Sequence, residues 1–454
     1  MHCIGLNWII RGLLITYPLL KIISSQMQNI KPLEAYVYIN VAVTMIFMLI
    51  NPLYALVATT LISLLTGRVS NWLVGVLFVT SFVLMYSNQV FIYGNDIVSY
   101  ISMYQGSERD TYSGIFKTYV NNINGHEFLW FYYCKILGTI SGYSQEIFIL
   151  TTYTIIFSLS AYVAYLASEN GRYNFTLLLF GLVFLELVLF SNIFDLWRTV
   201  IASLVFIISL LIGDSKQSKY VSRIIMYSSM FIHSSMIILV IAYELYCILM
   251  RKKAFEFNGT SFYFKLIFLT IVAITALSFI GQYIGYLSYF GDTFLAGYER
   301  YLAQNITNEF NIKDYFRPLY ILFGGYIIFN YKYIKNYEAF IISSFIVLTA
   351  MPYIANDMAM VYGRANVVPR IIMIIMAVKF LKNIPSIYSI FFVLIIFIAR
   401  MLAYATNELN LSFELIAKGD FFNVNYGLIA SIFYFYDPIY TSHYPIFRFD
   451  STGS

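Results

Sequence analysis

Two ionisable side chains stand out between Ser191 and Ser235, because both interrupt strongly apolar sequence. Arg198 lies where one apolar run begins, and His233 lies in the middle of the next. An ionisable group at membrane depth is costly, so it indicates a functional site. A guanidinium can stabilise developing negative charge, and an imidazole can exchange a proton near neutral pH. We predict that Arg198 and His233 form one active site.

Each of these residues also has a structural interpretation. Asp195 precedes Arg198 by three residues, so the two could form a local ion pair at a helix start. His233 could be a buried histidine whose ring is satisfied by a backbone carbonyl. The functional interpretation therefore requires that the two side chains meet across the fold.

Two carboxylates are candidates to complete the site, Asp96 and Glu127. Asp96, Tyr100 and Tyr104 follow one another at four-residue intervals, which places them on one helical face. Histidine has a pKa suited to general-base catalysis, whereas a carboxylate would need its pKa raised by burial. The sequence leaves the general base open among His233, Asp96 and Glu127.

The composition predicts an integral membrane protein. Hydrophobic residues make up 60% of the 454 positions and charged residues 11%, with a mean hydropathy of +0.73. Soluble domains carry about 25% charged residues. Apolar runs recur along the chain, and about 10 to 12 of them suit transmembrane helices. We predict an all-α, polytopic fold forming a single transmembrane domain over residues 1–454.

The dispersed cysteines and histidines favour neither a disulfide framework nor a metal centre, because no CxxC spacing occurs. We therefore expect no metal and no cofactor, and a membrane protein of this kind is not expected to bind nucleic acid. These residues are Cys3, Cys134, Cys247, His2, His126, His233 and His443.

Basic residues indicate how the chain is oriented. Lysine-rich connections are expected on the cytoplasmic side, which leaves residues 89–142 and 288–318 as the first and second periplasmic segments. Segment 220–250 has basic residues on both flanks, which a single crossing would put on opposite sides. We predict a re-entrant helical hairpin there with its tip at 232–235; one ordinary span is the alternative.

The predicted outer connections are rich in arginine. Arginine binds phosphate through two parallel hydrogen bonds, which lysine cannot do. An outer arginine cluster therefore indicates a phosphate-bearing ligand, although each arginine alone could lie at the membrane interface. Its members proposed to bind substrate are Arg317, Arg364 and Arg370, together with Tyr100 and Tyr104.

Four short pieces, in this order, resemble the EpsG-type branch of the Wzy O-antigen and exopolysaccharide polymerases. They are GNDIVSYISMY (94–104), GHEFLWF (125–131), FDLWRTVIA (194–202) and FIHSSMI (231–237). Two positions depart from the family pattern. Phe91 or Tyr93 stands where an arginine is usual, and Thr199 stands where glutamine follows the helix-starting arginine.

The resemblance implies a GT-C-like glycosyltransferase in the bacterial inner membrane that polymerises undecaprenyl-diphosphate-linked repeat units at the periplasmic face. Donor and acceptor would both be lipid-linked glycans, within membrane lipid, with a polysaccharide chain-length regulator as a partner. In that reaction Arg198 would stabilise the diphosphate leaving group, assisted by Arg317, Arg364 or Arg370. The competing interpretations are a flippase for the same lipid-linked oligosaccharide and an O-antigen ligase.

Overall fold

The computed structural model describes residues 71–87, 96–114, 127–169, 196–213 and 219–251, with isolated positions within 42–46, 175–182 and 367–376. Every element in these ranges is an α-helix, which agrees with the predicted all-α class. In chain order the helices are α1 (Asn71–Ser87), α2 (Asp96–Gly106), α3 (Phe128–Ser141), α4 (Gln145–Ala167), α5 (Trp197–Ile212), α6 (Lys219–Ile232) and α7 (Met236–Arg251).

Helix α4 is the one helix within the described ranges that is long and apolar enough to cross a membrane. It begins at a serine cap, because the Ser144 hydroxyl accepts a hydrogen bond from the Ile147 amide at 3.3 Å. Helix α5 is apolar but shorter. Both follow spans predicted from the sequence, whereas most of the other predicted crossings lie outside the described residues.

Helix α5 is the centre of the packing, against α4 on one side and α6 on another, while α1 lies along α4. Small residues allow α5 and α6 to approach closely. The Ser222 hydroxyl on α6 donates to the Ser209 carbonyl on α5 at 2.7 Å. A Cβ atom added at Gly213 would lie 2.6 Å from that hydroxyl oxygen, so a larger side chain could not be accommodated without movement.

Aromatic rings fill the core between α2, α3, α4 and α5. Tyr100 on α2 stacks on Trp197 of α5 with ring centres 5.8 Å apart, and Trp130 of α3 meets Tyr100 edge-on at 5.4 Å. Phe148 of α4 meets Trp197 at 5.8 Å. The same core includes buried side chains from the isolated positions, among them Phe175, Leu178, Leu179, Leu182, Val367, Ile371 and Ile375.

Helices α6 and α7 form an antiparallel hairpin with a break at residues 233–235. Arg223 on α6 and Glu244 on α7 form an ion pair at 3.1 Å, and the Tyr227 hydroxyl donates to the other oxygen of Glu244 at 3.0 Å. The helical break coincides with the tip predicted from the sequence. The re-entry of this hairpin into a membrane stays a prediction.

Lys135 links α3 to the end of α2 through hydrogen bonds. Its ammonium group, on a side chain that is 9% exposed, donates to the carbonyls of Ser107 and Glu108 at 2.9 and 3.1 Å. It also donates to the Tyr143 hydroxyl at 2.8 Å. These carbonyls follow the last turn of α2, where a positive charge is favourable. Lys135 therefore fixes the position of the helix that carries Tyr100.

We expect Lys135→Met to lower the free energy of unfolding by about 2 kcal/mol, because two carbonyls at the end of α2 lose a charged donor. The loss is measured as the shift in thermal midpoint of the detergent-solubilised protein. Ile136→Met is the matched control, since Ile136 is the next residue on α3 and is 49% exposed. Equal midpoints for the two variants would contradict the anchoring role of Lys135.

Candidate active site

The carboxylate of Glu127 joins the two residues that the sequence analysis singled out. One of its oxygens accepts a hydrogen bond from Nη1 of Arg198, and the other lies 2.6 Å from Nδ1 of His233. All three side chains are largely buried, with exposed fractions of 5% for Glu127, 12% for Arg198 and 6% for His233. Arg198 and His233 are therefore joined through a shared carboxylate. A local ion pair between Arg198 and Asp195 would not have brought these two residues together.

Each of the three residues is placed by the start of a helix. Glu127 immediately precedes α3, Arg198 is the second residue of α5, and His233 lies in the break just before α7. Helix N-termini carry a partial positive charge. Where the three helix starts converge, these partial charges add to the positive charge of the side chains. Such a region favours an anionic ligand.

The charge state of Glu127 follows from its neighbours. Burial alone would raise the pKa of this carboxyl. The charges of His233 and Arg198 and the hydrogen bonds from His233 and Ser234 outweigh burial, so the pKa of Glu127 is held well below its ordinary value of 4.5. Glu127 is therefore an ionised acceptor at neutral pH and a weak proton acceptor in catalysis.

This charge state assigns the direction of the bond to His233. An ionised carboxylate can only accept hydrogen bonds, so Nδ1 of His233 donates to Glu127. The bond to Glu127 uses Nδ1, so a proton-transfer role of this imidazole would use its second nitrogen, Nε2. A carboxylate that holds a histidine in this way also stabilises the imidazolium that forms when the ring takes up a proton.

Tyr100 supports the guanidinium of Arg198. The central carbon of the guanidinium lies 4.9 Å from the centre of the Tyr100 ring, which is the geometry of a cation–π contact. Tyr100 is itself 1% exposed and packed between Trp130 and Trp197. The ring is therefore a rigid support, and it orients Arg198 from a different helix than Glu127 does.

Ser234 is a site residue that the sequence analysis did not identify. Its backbone N–H and its hydroxyl both donate to the same Glu127 oxygen that His233 contacts, each at 3.1 Å. The available signal was a serine directly after the histidine at a helical break, where hydroxyl groups often bond locally. Here the hydroxyl instead bonds a residue 107 positions away, which no local pattern could indicate.

Among the other predicted site residues, Tyr104 lies in the core rather than at Glu127. Tyr104 is fully buried, stacks on Phe148 and shares a 2.6 Å hydrogen bond with Ser141. Asp96 begins α2. Arg317, Arg364 and Arg370 lie outside the described residues, and their role in binding substrate stays a prediction. Within the described ranges, no group of three or more His, Cys, Asp or Glu residues is arranged to hold a metal ion.

Because the pKa of Glu127 is lowered, we predict that its contacts with Arg198 and His233 persist at a pH that would protonate an ordinary carboxyl. A carboxyl with a lowered folded pKa contributes stability that is present above its unfolded pKa, and loses it as the pH falls through the folded value. We expect the thermal midpoint of the wild type to exceed that of Glu127→Gln at pH 4.5, the ordinary value for this group. The difference should shrink only in stronger acid. A difference that stays the same from neutral pH into strong acid would show that the carboxyl titrates normally, because an unshifted pKa makes no pH-dependent contribution to stability.

Comparison with known proteins identifies the family of this chain. No curated protein and no solved structure matches the chain. The model of the EpsG family matches residues 72–418, which is well over half of the 454 residues and includes Glu127, Arg198 and His233. The chain therefore belongs to the EpsG family, whose members are membrane proteins of polysaccharide biosynthesis.

Proposed function

We propose that this chain is a polysaccharide polymerase that joins lipid-linked repeat units by glycosyl transfer. The donor is a growing glycan on undecaprenyl diphosphate, and the acceptor is the sugar of a new lipid-linked repeat unit at the periplasmic face of a bacterial inner membrane. The observation that carries this proposal is the buried Glu127–Arg198–His233 cluster. It combines a cation for a leaving diphosphate with a histidine able to accept a proton.

In the proposed step, an acceptor hydroxyl attacks the anomeric carbon of the donor glycan. Nε2 of His233 takes the hydroxyl proton while the new carbon–oxygen bond forms. The bond between the anomeric carbon and the diphosphate oxygen breaks, and the diphosphate leaves with the electron pair. The charge of Arg198 stabilises the oxygen on which negative charge develops.

Glu127 acts in this step as a positioning residue. In the reactive form that we propose, Glu127 is ionised and His233 is neutral, so the charges of Glu127 and Arg198 cancel before the reaction. Uptake of a proton by His233 leaves the cluster with one positive charge at the moment when the diphosphate is released. The low pKa of Glu127 argues against Glu127 as the general base.

The polytopic fold predicted from the sequence suits this function. Both substrates carry a long lipid, so the site must be reached from the bilayer and the glycan must leave on one side of it. The membrane-length helix Gln145–Ala167 packs against α5, which carries Arg198. This packing supports a site beside, and accessible from, the hydrocarbon region.

The proposed function is tested by reconstitution in proteoliposomes. Lipid-linked repeat units are isolated from cells that lack this protein and supplied to the purified chain, and the products are separated on a gel. A ladder spaced by one repeat unit is the expected result, with and without a chelator. No ladder, together with movement of the intact repeat unit across the bilayer, would favour a flippase. Transfer only to added lipid A core would favour an O-antigen ligase.

A further inference from the structure

The aromatic residues near the candidate site fall into two groups that differ in burial. Tyr100, Trp130 and Trp197 are at most 2% exposed and form the core. A second group is only partly buried and extends from the site across α3 to the turn after α2. This aromatic row consists of Phe231, Phe128, Tyr132 and Tyr112, in spatial order.

Adjacent rings of the aromatic row contact one another without a gap. Phe231 and Phe128 have ring centres 4.7 Å apart, and Phe128 meets Tyr132 edge-on at 6.3 Å. Tyr132 and Tyr112 lie nearly parallel, with ring centres 6.5 Å apart and 13° between their planes. The row is therefore a continuous surface that spans three separate elements.

Two residues of the aromatic row are neighbours of the catalytic cluster along the chain. Phe128 directly follows Glu127, and Phe231 lies two residues before His233. The far end is polar as well as aromatic: the Tyr112 hydroxyl is 3.3 Å from that of Thr139, and the Tyr132 hydroxyl donates to the Tyr112 carbonyl at 3.1 Å. Tyr112 is 46% exposed. A ligand placed on the row would thus touch apolar ring faces near His233 and hydroxyl groups further away.

We propose that the aromatic row is a glycan-binding subsite that holds the sugars adjoining the reacting hydroxyl. This inference rests on the proposed polymerase function and names where that site takes its glycan. Sugar rings have apolar C–H faces that stack on aromatic side chains and hydroxyl edges that form hydrogen bonds. The row offers both kinds of contact in one direction away from His233. Because Phe128 and Phe231 lie within two residues of Glu127 and His233 along the chain, we assign the glycan, rather than the lipid, as its occupant.

The decisive variants alter one ring of the row at a time. In Tyr132→Leu a side chain of moderate size remains but the aromatic face is lost, whereas Tyr132→Phe retains the ring and loses only the hydroxyl. We expect Tyr132→Leu to raise KM for the lipid-linked repeat unit roughly tenfold, with kcat changed less than about twofold. Tyr132→Phe should remain close to the wild type. Tyr112→Leu should resemble Tyr132→Leu, because both remove a ring from the same row.

The chain offers a matched control on another helix. Tyr162 and Tyr165 on α4 form a second partly exposed tyrosine pair, with ring centres 6.5 Å apart and 17° between their planes. Tyr162 is 43% exposed, much like Tyr112. It lies roughly 20 Å along α4 from Phe148, the residue that packs on Trp197. Tyr162→Leu should therefore leave KM unchanged.

A lipid-free inhibitor distinguishes glycan binding from a general role of tyrosines at a membrane interface. The repeat-unit oligosaccharide released from its carrier is added as a competitor of ladder formation. We expect its inhibition constant to rise roughly tenfold in Tyr132→Leu and to stay at the wild-type value in Tyr162→Leu. Equal constants in all variants would overturn the subsite, and equal increases in both leucine variants would identify an interfacial belt.

Failure of the subsite and failure of the proposed function give different results. If the wild type forms a ladder but the Tyr132 variants match it in KM and inhibition constant, the subsite is wrong and the polymerase remains. If the wild type forms no ladder, the polymerase is wrong. Saturation-transfer NMR with the released oligosaccharide and the reconstituted wild type then still reports whether Tyr132 contributes to binding, since a signal unchanged in Tyr132→Leu also rejects the subsite.

Discussion

Replacement of Arg198 with alanine is expected to abolish chain elongation, leaving single repeat units on their lipid carrier. Arg198 is the cation of the buried cluster, and its guanidinium is held by Glu127 and by the Tyr100 ring. Loss of a preorganised electrostatic contact to a transition state lowers kcat by about 10²- to 10³-fold, which is enough to remove the ladder. The measurement is the product ladder in proteoliposomes, with the amount of inserted protein determined in parallel.

Two further variants separate catalysis from folding. Arg198→Lys keeps the positive charge but loses the planar fork, so we expect partial recovery over Arg198→Ala. Arg223→Ala breaks the other Arg–Glu pair of the described ranges, between α6 and α7, and should retain elongation if it folds. A full-length ladder from inserted Arg198→Ala would refute the role assigned to Arg198.

Replacement of His233 with asparagine should lower kcat by about 10²- to 10⁴-fold, while KM changes little. The asparagine amide can occupy the place of Nδ1 and donate to Glu127, so the hydrogen bond that orients the tip survives. What is lost is the nitrogen able to accept a proton. The rate of the variant should also lose any titration that the wild type shows in the range where histidine ionises.

Two other results for His233→Asn would each change the role assigned to His233. An unchanged rate in folded His233→Asn would remove the histidine from the mechanism and return the role of general base to Asp96 or another group. A rise in KM without a fall in kcat would instead make His233 a binding residue. Thermal midpoints equal to the wild type would show that the hairpin tip is intact in either case.

The sequence was sufficient to predict that Arg198 and His233 converge, because the cost of placing either group in apolar surroundings requires a compensating partner. It was not sufficient to choose that partner. Glu127 is 71 residues from Arg198 and 106 from His233, and contacts at such separation have no local pattern. Asp96 and Glu127 were therefore equal candidates until the helices were packed.

The helices also show which features the sequence predicts and which it does not. Apolar length alone predicted α1, α4 and α5, and paired basic flanks predicted the break between α6 and α7. The anchoring of α2 by Lys135 could not be foreseen, because a lysine among aromatic residues is more often an interfacial side chain than a buried donor. Tyr100 and Tyr104 were correctly placed on one helical face, yet only Tyr100 reaches the cluster, since Tyr104 packs one turn further into the core.

The separation of the three site residues along the chain has a consequence for biogenesis. The ribosome delivers the carboxylate of Glu127 first, the guanidinium 71 residues later and the imidazole 106 residues after the carboxylate. A nascent chain halted before the hairpin therefore lacks the imidazole that we propose as the proton acceptor. The cluster is complete only when the late hairpin docks onto earlier helices, so under the proposed function partly made copies would not divert lipid-linked sugars before they are finished.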